Sequence, residues 1–283
     1  MKLTNKIENE RGNTMKKLLV VAVAVISFLA ITSNASAFIE FNFSADGSGF
    51  GSSITMTEWD IHGRTYIQND LINGEFDEWG TFYASGYDGN PWGTQNQVTA
   101  TVAAQGNVSP DFLSFTGGDV YLYSDASANY GEVDGGDGVF NGANDGTEIA
   151  HFSIYGGEGA LQNYNPLNGE LTLKMKAESL AAGYWFTKSG KDLSTLDPGL
   201  IVISLVTVNA SIVDPTTGQI IEWNEYLGGL PGGLDYENAF PFYFFVSNGG
   251  QFRIDVIPEP ATLALLGTGL LGLAGFGFRR KKR

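Results

Sequence analysis

The stretch ELTLKMK, at residues 170–176, alternates strictly between polar and apolar side chains. Its two leucines and Met175 share one side, and the polar residues share the other. Successive side chains of a β-strand point to opposite faces, so this period of two predicts a strand with one buried face. Between the two apolar ends of the chain, the only helix-like segment is residues 177–182, and it is short.

Similar runs recur along the chain between breaks rich in Gly, Asn and Asp. The shorter runs are residues 38–43, 97–102, 119–123 and 149–155, and residues 200–213 form a longer apolar run expected to be central. Residues 242–246 and 251–256 are predicted to pair as a closing hairpin across SNGG at residues 247–250. Many short strands with regular turn signals predict an all-β domain, a β-sandwich or jelly roll spanning residues 38–256.

Composition supports a packed body. Of 283 residues, 43% are hydrophobic and 13% aromatic, which is more than a disordered chain carries. The chain has no cysteine, which excludes a disulfide framework, a thiol nucleophile and a cysteine-ligated metal. No fixed-period repeat and no Pro- or Ser-rich linker divides the body, so a single domain is expected.

The body is strongly acidic. Residues 38–257 hold 28 acidic and six basic residues, a net charge of −22. Such a surface repels nucleic acid and anionic membranes, and no nucleic-acid partner is expected. It favours solubility and weak capture of divalent cations, although plain solvation accounts for most of the carboxylates.

The first 37 residues have the three parts of a secretory signal peptide. Lys16 and Lys17 precede an apolar run at residues 18–31, and Ala35 and Ala37 are the small residues that signal peptidase requires. Cleavage is expected after Ala37, following export by the Sec machinery. Met15 stands directly before the lysines and is an alternative start of translation.

The other end of the chain carries a second targeting pattern, at residues 257–283. Pro258, Glu259 and Pro260 precede an uncharged Leu- and Gly-rich segment at residues 261–278. As a helix this segment measures about 27 Å, close to the roughly 30 Å of a bilayer core. Five basic residues follow and are expected to stay in the cytoplasm as a stop-transfer signal: Arg279, Arg280, Lys281, Lys282 and Arg283.

This order of parts resembles the PEP-CTERM sorting domain. The resemblance implies recognition of Pro258, Glu259 and Pro260 by an exosortase, a membrane protease-transpeptidase of Gram-negative bacteria that make exopolysaccharide. It therefore implies an exported protein that is held transiently in the inner membrane, cut, and released to the cell surface or the extracellular medium. The resemblance does not identify the bond that is cut.

Evidence for chemistry within the body is sparse. His62 lies beside Gly63 at an expected turn and His151 lies in a strand, and neither belongs to a hydrolase motif. Residues 134–148 crowd oxygen ligands with glycines, as calcium loops do, but do not fit the EF-hand spacing. The alternative for this segment is a solvated Asx/Gly loop. The candidate calcium ligands are Asp134, Asp137, Asn141 and Asp145; no other cofactor is expected.

Five tryptophans are candidates for stacking on sugar rings, although core packing is the commoner use of this residue. They are Trp59, Trp79, Trp92, Trp185 and Trp223. Trp92 follows Asn90 and Pro91 and precedes Gly93, which predicts a loop position.

The layout of the body resembles the flocculation-associated PEP-CTERM proteins. Ala37 and Phe38 open it, an Asn/Asp/Gly loop lies near its middle, Asp197 and Pro198 follow, and an aromatic segment precedes the Pro-Glu-Pro. This resemblance implies a non-enzymatic protein that acts with exopolysaccharide in floc or biofilm formation. Two alternatives stay open: a carbohydrate-binding module with a specific glycan site, and a secreted glycan-active enzyme.

Overall fold

The structure, a computed structural model, describes the body of the chain. The described residues are 39–93, 95–109, 112–131, 141–160, 169–213, 216, 219–220 and 243–256. The predicted signal peptide and the predicted sorting segment at residues 257–283 lie outside the described residues. No helix in the described part of the chain is both long and apolar enough to cross a membrane.

Strands dominate the described residues, and three short 3-10 turns accompany them. In chain order the strands are β1 (Phe41–Phe43), β2 (Ile54–Met56), β3 (Glu58–Asp70), β4 (Glu75–Tyr87), β5 (Asn90–Pro91), β6 (Gln97–Ser109), β7 (Phe112–Asp125), β8 (Thr147–Ala160), β9 (Gly169–Leu180), β10 (Trp185–Thr187), β11 (Ile201–Val213) and β12 (Tyr243–Val256).

Eight long strands form a closed antiparallel barrel. They follow one another as β3, β4, β6, β7, β8, β9, β11 and β12, and β12 then pairs back with β3. This last pairing extends from Tyr243 opposite Gln68 to Arg253 opposite Glu58. The prediction of an all-β body is confirmed. The finer prediction of a sandwich or jelly roll is not confirmed, because the last long strand closes on the first and leaves a single continuous wall.

Alternation along each strand separates the inside of the barrel from the outside. In β4 the inward residues include Phe76, Phe82 and Ala84, each at most 6% exposed, while Glu75 and Asp77 are exposed. The same alternation occurs in the quoted stretch of β9, where Leu173 and Met175 are buried and Lys174 and Lys176 are exposed. An eight-stranded barrel has an interior just wide enough for side chains to fill, and these apolar side chains fill it.

The predicted hairpin across residues 247–250 is wrong, because β12 runs straight through this segment. Neither Gly249 nor Gly250 has a positive φ, so neither forms a turn. A Cβ on Gly250 would lie 2.4 Å from the carbonyl oxygen of Val206 and 3.0 Å from the Cα of Thr207. Glycine is needed here for close approach of the backbones of β11 and β12, which is the second common role of glycine in a strand.

Three smaller expectations also change. The helix-like residues 177–182 begin as the end of β9, where Ala177 pairs with Phe152 of β8. His62 and Gly63 lie within β3 rather than at a turn. Strand β11 is paired on both sides as expected of a central strand, but closure gives every barrel strand two neighbours. In each case tertiary pairing overrides a local signal.

A small sheet of β10, β1 and β2 packs aromatic side chains against one end of the barrel. Phe43 lies edge-on to Trp59 and Trp185, with ring centroids 4.8 and 4.9 Å apart. Trp59 also stacks on Phe252 of β12 at 5.2 Å. These rings are almost fully buried. The small sheet, called the cap sheet below, therefore extends the barrel core at this end.

The closing seam between β12 and β3 carries an ion pair on the outer surface. Arg253 donates from Nε to the carboxylate of Glu58 at 2.6 Å, and its Nη2 lies 2.5 Å from the same oxygen. Gln251 donates to the other oxygen of Glu58 at 2.6 Å. Both charged side chains are at most 24% exposed, so this network is better shielded than an ordinary surface ion pair.

Candidate functional site

The cavity that the described residues enclose inside the barrel is small. A cavity of about 30 Å³ lies among apolar side chains that include Trp59, Phe82, Leu122 and Phe252. That volume accommodates about two water molecules. Pockets that hold organic ligands are roughly ten times larger or more. This cavity is therefore a packing defect of the core and too small for a sugar ring.

One ionisable side chain faces inward. Glu78 of β4 is 5% exposed, and its Oε2 has no hydrogen-bond partner among the described residues. Burial raises the pKa of Glu78 to about 7, against the lowering effect of a hydrogen bond from the hydroxyl of Thr65. Asn248 of β12 in turn donates to the Oγ1 of Thr65 at 3.1 Å. A polar chain therefore links β12, β3 and β4 inside the closing seam.

The outer face of the barrel carries two cross-strand rows of Tyr, Thr and His. Register places them side by side, and neighbours across strands are close enough for their side chains to touch. One row is Tyr83, Thr99 and Tyr123, and the other is Thr81, Thr101, Tyr121 and His151. These seven residues are called the tyrosine belt below.

Part of the tyrosine belt is covered by the loop that follows β7. Tyr130 lies with its ring 5.1 Å from that of Tyr83, and its hydroxyl is 3.0 Å from the hydroxyl of Thr81. Thr99 donates to the carbonyl oxygen of Ala143 at 2.8 Å. The half of the belt on β4 and β6 is thus packed against the loop, and the open half lies on β7 and β8.

The open half combines aromatic rings with carboxylates. The rings of Tyr121 and His151 are stacked, with their centroids 4.3 Å apart and their planes at 4° to each other. Asp119 lies 2.8 Å from Nε2 of His151, and Glu148 pairs with Tyr123 in the register of β7 and β8. Asp119, Tyr121, Tyr123, Glu148 and His151 are called the acidic tyrosine patch below.

These groups also affect one another electrostatically. Burial, together with the carboxylates of Asp119 and Glu148, raises the pKa of Tyr121. Burial also raises the pKa of Tyr123, and Glu148 adds to this effect. Asp119 and Glu148 are themselves exposed. The patch can therefore offer aromatic surface, hydroxyl groups and two negative charges to a ligand at the same place.

The predicted calcium ligands are only partly described. Asp134 and Asp137 lie outside the described residues. Asn141 and Asp145 lie in the turn before β8, where Asp145 accepts a hydrogen bond from Asn129 at 2.8 Å. In the described part of the chain, three or more His, Asp or Glu side chains nowhere come together as a metal site. Calcium binding by residues 134–145 stays a prediction.

The tryptophans are not the exposed aromatic residues. Trp59, Trp92 and Trp185 are at most 9% exposed and belong to the core beneath the cap sheet. Trp92 lies on a loop, as predicted, but its ring is buried and its Nε1 donates to the carbonyl oxygen of Asn96 at 2.8 Å. Trp79 is half-buried, with its ring 6.1 Å from that of Tyr66. Trp223 lies outside the described residues.

The barrel ends where the second targeting pattern begins. Strand β12 finishes at Val256, two residues before Pro258. The family model of the PEP-CTERM protein-sorting motif matches residues 256–281. This is a PEP-CTERM domain-containing protein. The motif implies an exported protein that passes through the membrane and is processed by an exosortase.

The PEP-CTERM motif covers all three predicted parts of the sorting signal, except the last two basic residues. Pro258, Glu259 and Pro260, the apolar span and the basic residues from Arg279 onward lie outside the described residues, as do Ala35 and Ala37. No curated protein and no solved structure matches the chain significantly. Comparison with known protein families therefore identifies the sorting motif.

Sequence reasoning missed the acidic tyrosine patch and Glu78, although each had a signal. Asp119, Tyr121 and Tyr123 alternate within the run at residues 119–123, so they share one face of a strand. Glu78 occupies the apolar phase of β4 between Phe76 and Phe82. Because Glu78 shares the face of the strand that carries apolar side chains, its carboxyl group is expected to be buried. A buried ionisable group of this kind is a candidate functional residue.

Proposed function

We propose that this protein is a structural component of the extracellular matrix of a Gram-negative bacterium, acting with exopolysaccharide in floc or biofilm formation. The observation that carries the proposal is the position of the sorting motif, which begins at the last residue of the barrel-closing strand. Processing near Pro258 leaves the whole barrel on the outward side as one body. Such a product reaches the cell surface already folded.

A non-enzymatic role fits the described residues. The cavity enclosed by the described residues of the barrel is too small for a sugar ring, and the polar side chains that lie beside the aromatic rings of β7 and β8 are on the outer face. An outer face of long strands is suited to contact with a polymer along its length. Catalysis on a glycan instead favours a concave site that excludes water.

Charge restricts how such a protein holds a polysaccharide. With a net charge of −22 over residues 38–257, the body repels an acidic polymer unless cations lie between them. If calcium ions bridge the carboxylates of the protein and the polymer, then a strong chelator releases the protein from the matrix. Retention unchanged in the chelator at low salt excludes bridging by calcium.

A second candidate function is a carbohydrate-binding module with a specific glycan site. The open half of the tyrosine belt favours it, because stacked rings beside polar groups are the usual elements of a sugar-binding surface. The rings in question are tyrosines and a histidine, since the described tryptophans other than Trp79 are in the core. Binding to one glycan of an array, lost in Tyr121→Ala, supports this candidate.

Deletion of the gene in the native host tests the proposed function. The deletion strain is complemented with the full-length gene and, separately, with a version ending at Ile257. Cell settling and the amount of polysaccharide are measured independently. The proposal predicts that settling fails while polysaccharide is still made, and that the full-length gene alone restores settling. Normal settling in the deletion strain overturns the proposal. The sorting motif would then direct the export of a protein with a different function.

A further inference from the structure

The acidic tyrosine patch has negative charge with which no Lys or Arg of the described residues forms an ion pair. Asp119 contacts His151, whereas the exposed Glu148 forms no hydrogen bond or ion pair with another described residue. Lys176, on the adjacent strand β9, is itself bound to Glu178 at 3.4 Å. A ligand at this patch therefore encounters a net negative surface beside aromatic rings.

The balancing charge must come with the ligand. The body has 28 acidic and six basic residues, so its net charge repels an anionic polymer. Within the described residues no group of three or more His, Asp or Glu side chains is placed to hold a metal ion. A positively charged ligand is attracted to this negative surface without an intervening metal ion.

The patch is also extended along two strands. Its residues point outward from β7 and β8, two adjacent antiparallel strands about 5 Å apart. Tyr155, 54% exposed, lies four residues beyond His151 on the same outward face of β8, roughly 13 Å along the strand. Aromatic surface thus continues past the patch in the direction of β8. A surface of this shape favours a linear polymer with repeated units over a compact ligand.

The geometry points to a polysaccharide of cationic amino sugars as the ligand of the acidic tyrosine patch. This inference rests on the proposed function, because it names the class of polymer that the matrix protein holds. The carboxylates of Asp119 and Glu148 bind the ammonium groups, and the partly exposed side chain of Tyr121 adds apolar surface for the sugar ring. A neutral sugar leaves the carboxylate of Glu148 without a partner among the described residues, whereas Asp119 keeps its contact with His151.

Binding of short oligosaccharides to the full-length chain in a neutral detergent tests the inference. The probes are a glucosamine hexamer, which carries ammonium groups, and an N-acetylglucosamine hexamer of the same length, which does not. Both are measured by calorimetry in the presence of a chelator, at a pH where the amino groups are protonated. A lysine hexamer is the third probe, because it carries the charge without the sugar.

Two matched pairs of variants separate the patch from the general charge of the protein. Glu148→Gln removes a carboxylate of the patch, and Glu158→Gln removes an exposed carboxylate ten residues further along the same strand. Asp119→Asn has its counterpart in Asp77→Asn, an exposed residue of β4. Each pair changes the net charge equally, so a difference within a pair reports the site. Circular dichroism verifies that each variant is folded.

We expect the glucosamine hexamer to bind more tightly than the other two probes. Glu148→Gln and Asp119→Asn should each weaken its binding about fivefold, the upper end for an exposed ion pair, while their counterparts stay at the wild-type affinity. Equal losses in both members of a pair overturn the inference, as does equal binding of the N-acetylated hexamer or of the lysine hexamer. If the protein is needed for settling but does not bind the glucosamine hexamer, then the inference falls and the proposed function stands.

Discussion

Glu78 makes the stability of the barrel depend on pH in a range where ordinary carboxylates do not titrate. Its usual pKa is 4.5, and burial in the barrel raises the pKa to about 7. A group whose pKa is raised on folding contributes its full stability at a pH below its pKa in the unfolded chain. This contribution is lost as the pH rises through its pKa in the folded protein. The interval between 4.5 and about 7, at about 1.4 kcal/mol per pH unit, corresponds to about 3 kcal/mol of unfolding free energy.

The variant Glu78→Gln isolates this effect. It keeps the shape of the side chain and removes the ionisation, so its unfolding free energy should not show the loss of about 3 kcal/mol as the pH rises from 4.5 to about 7. The comparison is between the slopes of the two pH curves, because the amide of Gln adds donors whose own cost does not depend on pH. Urea unfolding followed by tryptophan fluorescence at several pH values gives both curves.

Other carboxylates do not obscure this measurement. Hydrogen bonds lower the pKa of Asp46, Asp70 and Glu178. A lowered pKa gives stability that is present above the usual value and is lost only as the pH falls below it, so these groups act in more acidic solution. The exposed Asp77→Asn variant should follow the wild-type curve. Parallel curves for wild type and Glu78→Gln would refute the reasoning, because they would mean that the Glu78 carboxyl is not desolvated.

Three further outcomes follow from contacts in the barrel and from the sorting motif. Gly250→Ala should lower the unfolding free energy by about 1–3 kcal/mol, because the new Cβ meets the carbonyl oxygen of Val206. The control Gly249→Ala should cost less, because its Cβ meets the movable ring of a histidine. Equal losses of the two variants in urea unfolding would contradict the close-approach role of Gly250. Trp59→Ala should lower the unfolding free energy by about 3–5 kcal/mol in the same assay, since the Trp59 side chain is 1% exposed and packs among the aromatic rings beneath the cap sheet. A loss below about 1 kcal/mol would show that these rings add little to stability. Glu259→Ala should block processing, so that the protein stays at its uncut size in the membrane fraction of the host; normal release would exclude Glu259 from recognition.

Much of the local structure was predictable because it depends on neighbours in sequence. The period of two in residues 170–176 became β9, and the runs at residues 97–102, 119–123 and 149–155 became parts of β6, β7 and β8. The sorting signal was predictable for the same reason, because a protease reads a short linear segment together with its flanking apolar span. Neither inference needed contacts between distant residues.

The candidate site was less predictable, because it depends on which strands are neighbours and in what register. Tyr121 and His151 stack only because β7 pairs with β8 in a register that places them opposite each other. A slip of one residue would move every side chain to the other face. The tryptophans, taken from the sequence as candidates for sugar binding, are mostly core residues because the cap sheet covers the end of the barrel where they lie.

The sequence by itself determined that the body is all-β, strongly acidic and followed by a sorting signal, because composition, alternation and linear motifs are local properties of the chain. The tertiary structure alone decided that the sheet closes. Closure requires β12 to pair with β3, through contacts such as that between Asn248 and Thr65, 183 residues apart. The SNGG segment at residues 247–250 has the composition of a turn, and its pairing with residues 61–64 of β3, together with the close approach of β11 at Gly250, makes it a strand. The energy that selects barrel over sandwich lies in these long-range pairings, which no short window of sequence contains.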